Sequence, residues 1–96
     1  MEEISSHTQV ADVNKTIEEA ILYLLQNRKQ DASICPSEAA RKVFGSDWRE
    51  HMQHIRDVAV DMVKQQRLEI CQKGLVVDPS MVKGPIRLRK PLNFTL

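Results

Sequence analysis

The chain of 96 residues has no run of about 18 apolar residues, so nothing in it is expected to cross a bilayer as a helix. Its start, MEEISSHTQV, is acidic and polar, unlike the basic-then-apolar layout of a secretory signal. A cytoplasmic protein with no membrane association is expected. Two cysteines, Cys35 and Cys71, form no C-x-x-C pair and are too few for the disulfide framework of a small secreted domain, so both are expected as reduced thiols. Aromatic residues number four, and the aromatic platform on which single-strand nucleic-acid binders stack bases is missing from the pattern: Trp48 reads as buried, and Tyr23, Phe44 and Phe94 form no cluster. No glycine-rich phosphate loop, H-E-x-x-H, G-x-S-x-G or acid/base pair is present, so no enzyme activity and no cofactor are expected.

A large excess of one charge is also lacking, since the formal net charge is only +1. The distribution is uneven, however. Residues 1–63 hold seven Lys/Arg and eleven Asp/Glu, whereas residues 64–96 hold seven and two. A basic C-terminal third points towards an anionic partner, nucleic acid first among them.

What is present is enough for one domain, because a chain of this length buries roughly two-thirds of its unfolded surface. Residues 1–11 show no periodicity and are expected as a flexible arm, with a single domain over residues 12–96. Ile17, Ala20, Ile21, Leu24 and Leu25 recur at the spacing of one helical face, with Asp12 or Asn14 as the expected cap. In SICPSEAARKVFG, Pro36 suits a first helical position, Glu38 follows it and Gly45 suits the stop, which predicts a second helix over Pro36–Phe44. Asp47 as cap and Glu50 as capping-box partner predict a third helix from Trp48 to about Gln66. At about 100° per residue its core stripe is Trp48, Met52, Ile55, Ala59 and Met62, its exposed ridge Glu50, Asp57 and Asp61, and its basic flank Arg49, Arg56 and Arg67.

After Arg67 the period changes. LEICQKGLVVD predicts two short strands about a Lys73-Gly74 turn, DPSMVKGP a loop, and IRLRK an edge strand with Ile86 and Leu88 inward and Arg87 and Arg89 in solvent. Three helices followed by a small antiparallel hairpin or sheet give an α+β fold of winged helix-turn-helix layout. Taken together, ICPSEAAR, DWREHM, QKG, VDP and GPIRLR resemble a family of small, mainly bacterial proteins catalogued as domain of unknown function three-two-five-three. The resemblance covers about Ile17 to Lys90 and implies a winged-helix-like fold without a particular activity. It singles out Cys35, Pro36, Glu38 and Arg41 in the first motif and Trp48, Arg49, Met52 and Arg56 in the second. His51 departs from it, standing where an apolar residue is expected.

Two functions fit the layout. The first is weak or non-specific binding of DNA through a basic wing, with Arg49 and Gln53 placed for base edges and Arg56, Lys64, Lys73, Lys83, Arg87, Arg89 and Lys90 for phosphates. The carboxylates of Glu50, Asp57 and Asp61 on the same helix oppose entry into a groove. They suit the second reading, a protein-interaction module using that acidic ridge or an open strand edge, with a homodimer as a special case. Cys35, His51, His54 and Cys71 are chemically able to bind a metal, but their spacing lacks the tight pairs of zinc sites, so no metal site is expected. Cys35 before Pro36 reads as a small packed side chain, and His51 as a residue at the core margin.

Overall fold

A computed structural model describes residues 2–91, with side chains from residue 12 onward. Helix α1 spans Glu2–Gln26, strand β1 Ser33–Ile34 and helix α2 Pro36–Phe44. A 3-10 helix, Gly45–His51, leads into α3, Met52–Lys64, and strands β2 (Glu69–Gln72), β3 (Leu75–Val76) and β4 (Arg87–Arg89) complete the domain. The class is α+β, with a small antiparallel four-stranded sheet in the order β1-β4-β2-β3.

The apolar face of α1 forms as its spacing dictates, with Ile17, Ala20, Ile21 and Leu25 buried. Asp12 and Asn14 are not its caps. Both lie inside the helix, where Thr16 Oγ1 donates to the Asp12 carbonyl at 2.8 Å and the Asn14 amide oxygen meets His54 Nε2 at 2.6 Å, tying α1 to α3. Of the segment expected as a flexible arm over residues 1–11, residues 2–11 belong to α1, and their side chains lie outside the described ones.

Helix α2 starts at Pro36, whose missing N–H is no loss at the first helical position. Glu38 reaches back to accept the Cys35 N–H at 3.0 Å and also takes the Arg28 guanidinium at 2.8 Å, so the start of α2 is pinned to the segment after α1. Its end falls at Gly45, whose φ of 60° and ψ of −130° place it outside the left-handed helical region but in a conformation that only glycine adopts cheaply.

The third helix begins later than the sequence predicts. Asp47 and Glu50 form no cap for it, because residues 45–51 wind as a 3-10 helix and α3 proper starts at Met52. A short link between α2 and α3 has to turn the chain while keeping backbone hydrogen bonds satisfied, and the tighter winding of three residues per turn does both. Two consequences follow. Trp48 stays packed against the core but is only half-buried, the buried residues of α3 being Ile55, Val58, Ala59 and Met62. Glu50 leaves the acidic ridge, of which Asp57 and Asp61 remain on α3.

The largest departure is in the sheet. Strand β4 is not at the edge: Leu88 lies opposite Ile34 of β1 on one side and Ile70 of β2 on the other. The strand Ser33–Ile34, too short to show alternation, supplies the extra neighbour. Ile34, Ile70, Ile86 and Leu88 close the core beneath the helices, and all are essentially inaccessible. The β2–β3 turn is as the sequence predicts, with Lys73 and Gly74 at φ of 54° and 85°, the paired positive values of a type I′ hairpin. No helix among the described residues is long and apolar enough to cross a membrane.

Candidate functional site

The sequence-predicted basic residues separate into three places. The first is the junction of α3 with the loop between β3 and β4. Arg56 donates to the Gly84 carbonyl at 3.2 Å, and Gln72 donates to the carbonyls of Lys83 at 2.6 Å and Pro85 at 3.0 Å. These bonds fasten the loop to both α3 and the end of β2, so Arg56, Lys73 and Lys83 are carried on adjoining backbone. A cleft of about 300 Å3 runs between helix and loop, lined by Gln53, Arg56, Asp57, Val60, Pro79 and Val82, among others. Gln53 is not poised towards an outside partner, since its amide donates to the Asp57 carboxylate at 2.9 Å. Lys64 stands apart, exposed on the last turn of α3.

The second place is the outer face of the sheet. Arg87 Nε donates to Ser33 Oγ at 2.6 Å and its terminal nitrogen to the Ser33 carbonyl at 2.9 Å. Arg89 pairs with Glu69 at 3.1 Å, directly across the β2–β4 register, with the two side chains only 16% and 20% exposed. Both arginines of IRLRK are therefore engaged by residues of neighbouring strands, Arg87 while exposed and Arg89 while part-buried. Cys71 sits on the same face between them, and burial pushes its thiol pKa up, with Arg89 opposing and Glu69 reinforcing the shift. Lys90 lies elsewhere again, half-buried beside Leu22, Leu25, Gln66, Arg67 and Pro91 at the end of α1.

The third place was not visible in the spacing. Around the 3-10 helix, the guanidinium carbons of Arg41 and Arg49 each lie 4.5 Å from the centre of the Trp48 ring. Phe44 and His51 stack with their ring centres 3.7 Å apart and planes within 7°, and Lys42 Nζ lies 4.4 Å from the Tyr23 ring. Each of Tyr23, Phe44 and Trp48 thus has a cationic or imidazole partner of its own, with no ring contact among the three, and Trp48, expected as buried, is half-exposed. Phe94 falls outside the described residues. A signal existed in the text RKVFGSDWR, where cations flank both aromatics, but helical spacing from Trp48 onward assigned the indole to the core and hid it.

Apart from Tyr23 on α1, apolar exposure among the described residues is also localised. Leu75, Val76 and Met81 are 71%, 54% and 78% exposed, and all three lie on β3 and the loop that follows. Asp78 shapes that loop by accepting from the Ser80 backbone N–H at 2.9 Å and hydroxyl at 2.8 Å, bonds that hold its carboxyl below the usual carboxylate range. Strand β3 is the last in the sheet order. Val77 N–H donates to the Ile70 carbonyl at 2.9 Å, so by alternation the amide and carbonyl of Val76 face away from β2. No group of three or more His, Cys, Asp or Glu side chains able to hold a metal occurs among the described residues.

Against known families, residues 14–91 match the model of a family described as protein of unknown function DUF3253. The chain belongs to that family. The matched span takes in every element from the middle of α1 to β4, so the DUF3253 unit and the packed domain are one object. No curated protein matches the sequence.

Proposed function

We propose that this DUF3253 chain is a winged helix-turn-helix domain that binds nucleic acid through the phosphate backbone. The winged-helix reading is supported by element order: a strand between the first two helices, then a helix pair, then strands whose last member, β4, inserts between β1 and β2. On that reading residues 73–86 are the wing. The observation that carries the nucleic-acid reading is the fastening of this wing to α3 by Arg56–Gly84 and to the end of β2 by Gln72–Lys83, which sets Arg56, Lys73 and Lys83 around one junction. Cations placed so contact phosphates and give affinity without reading sequence. Asp57 and Asp61, exposed on α3, disfavour deep insertion of that helix into a groove. Arg87 and Arg89 of β4 take a structural role here, because their guanidinium groups already serve Ser33 and Glu69.

Anisotropy titrations of a labelled 20-base-pair duplex, a single strand and an RNA across a salt series test the reading. The Lys73→Gln, Lys83→Gln variant is expected to weaken binding equally on unrelated sequences and to lower the log–log salt slope by about 0.9 per lost contact. No salt-dependent binding by the unaltered domain at 50 mM salt refutes it.

A second reading has its own observation. Leu75, Val76 and Met81 project from an open strand edge, the arrangement by which an extended segment of another protein adds to a sheet. On this reading Val76→Lys abolishes association with a partner while leaving nucleic-acid affinity intact.

A further inference from the structure

We propose that the Arg41–Trp48–Arg49 cluster, extended by Lys42 over Tyr23, is a phosphodiester-binding surface separate from the wing junction. The proposal rests on the nucleic-acid reading above and adds to it the place where a second stretch of backbone is held. Two guanidinium groups lie against one indole, and so no further from each other than twice the 4.5 Å that separates each from the ring centre. Two cations held on one ring favour the approach of an anion, and phosphate accepts paired N–H bonds from guanidinium in a fixed planar geometry. Packing against a ring fixes the guanidinium planes in advance, which removes part of the ordering cost that flexible arginines carry into binding.

The surroundings favour an outside anion over an internal one. Arg41, Lys42 and Arg49 are exposed, and among the described residues their contacts are with aromatic rings, whereas Arg28, Arg67 and Arg89 are paired with carboxylates. Winding at three residues per turn matters here. Asp47 and Glu50 stack on one ridge of the 3-10 helix and Trp48 and His51 on another, about 120° away, so the acids are turned from the indole that organises the arginines. Placement at the C-terminal end of α2 would by itself account for basic residues there through the helix dipole, but that effect needs charge alone and no aromatic partner. Because the ring of Trp48 already carries two cations, bases do not stack on it, and the contact is expected to be independent of sequence. Together with Lys73 and Lys83, the cluster gives the domain two phosphate grips, one at each end of the path from the α2–α3 link to the wing.

Trp48 is the only tryptophan, so its emission reports on this surface alone. Unlabelled 20-base-pair duplex is titrated into the domain at 0.1 M salt, with Trp48 emission and the anisotropy of a labelled duplex followed together, and poly-glutamate of matched charge as comparator. The expected result is a Trp48 change that saturates with DNA binding and is weak or missing with poly-glutamate. The Arg41→Gln, Arg49→Gln variant is expected to bind on the order of 10–100-fold more weakly, with the salt slope lowered by about 0.9 per contact. The Lys73→Gln, Lys83→Gln variant is expected to keep the Trp48 response at higher DNA concentration. If the arginine variant loses its fold, the single Lys42→Gln variant serves, with a slope lowered by about 0.9. Normal affinity and slope in these variants, alongside loss in the wing variant, overturns this surface while leaving the nucleic-acid reading standing. An equal Trp48 response to poly-glutamate overturns the phosphate assignment in favour of an acidic protein. Failure of the unaltered domain to bind any nucleic acid removes both proposals.

Discussion

Replacing Arg89 by Gln is the perturbation that separates a structural arginine from a phosphate-binding one. Arg89 faces Glu69 across the β2–β4 register at 3.1 Å, and the pair is far from fully solvated, with exposures of 16% and 20%. A directly opposed charge pair on neighbouring strands contributes roughly 0.2–1 kcal/mol, and a hydrogen bond to a charged group in a part-buried setting about 1.5–3 kcal/mol. Solvent screening of the remaining exposure pulls the figure down, so a loss of about 1–2 kcal/mol is expected. For a domain of this size that lowers the melting temperature by roughly 4–16 °C. Urea unfolding followed by circular dichroism gives the stability change, and a double-mutant cycle with Glu69→Gln isolates the pair term. In the same preparation, the salt slope for duplex binding is expected to stay as in the unaltered domain. An unchanged urea midpoint with a slope lowered by about 0.9 would refute this reasoning, because it would mean that the guanidinium leaves Glu69 to meet phosphate.

Leu88→Ala, at an inaccessible site between Ile34 and Ile70, is expected to cost about 2–5 kcal/mol by calorimetry or urea unfolding. Gly45→Ala forces a side chain into a conformation with φ of 60° and ψ of −130°, and a loss of about 1–3 kcal/mol is expected even though space is open around it. Burial raises the Cys71 pKa, so the fold favours the neutral thiol. Its contribution is intact below the ordinary thiol pKa of about 8.5 and is lost as pH climbs towards the raised folded-state value. Urea midpoints should therefore fall between pH 7.5 and 10, less so in Cys71→Ala. Alkylation with iodoacetamide at pH 8 should modify half-exposed Cys35 well before Cys71.

Where periodicity was long and the chemistry of the ends local, the reading of the sequence held. Ile17 to Leu25 repeat often enough to define a face, Pro36 and Gly45 bound α2 through their own backbone restrictions, and Lys73-Gly74 makes its turn with no help from elsewhere. These features depend on interactions within a few residues, so composition and spacing suffice. The α3 boundary failed for a related reason: Asp47 and Glu50 are good capping residues, but the need to link two packed helices across residues 45–51 outweighed that local preference.

The place of IRLRK in the sheet was decided only by tertiary structure. Alternation in a five-residue stretch says which side chains share a face, and Ile86 and Leu88 do point inward as read. It cannot say how many neighbours the strand has. The second neighbour is Ser33–Ile34, two residues with no period of their own and more than fifty positions away in the chain, held because the fold brings them beside Leu88 and Arg89. That pairing also decided the fate of the charges. Arginines that read as free on an edge strand become partners of Ser33 and Glu69, Arg87 staying exposed and Arg89 part-buried, while Arg41 and Arg49, on separate elements, are gathered on Trp48. Hydrophobic period and turn chemistry are properties of neighbouring residues and survive in the sequence alone, whereas the partner of a charge is set by which distant segments the packed core brings within a few ångströms.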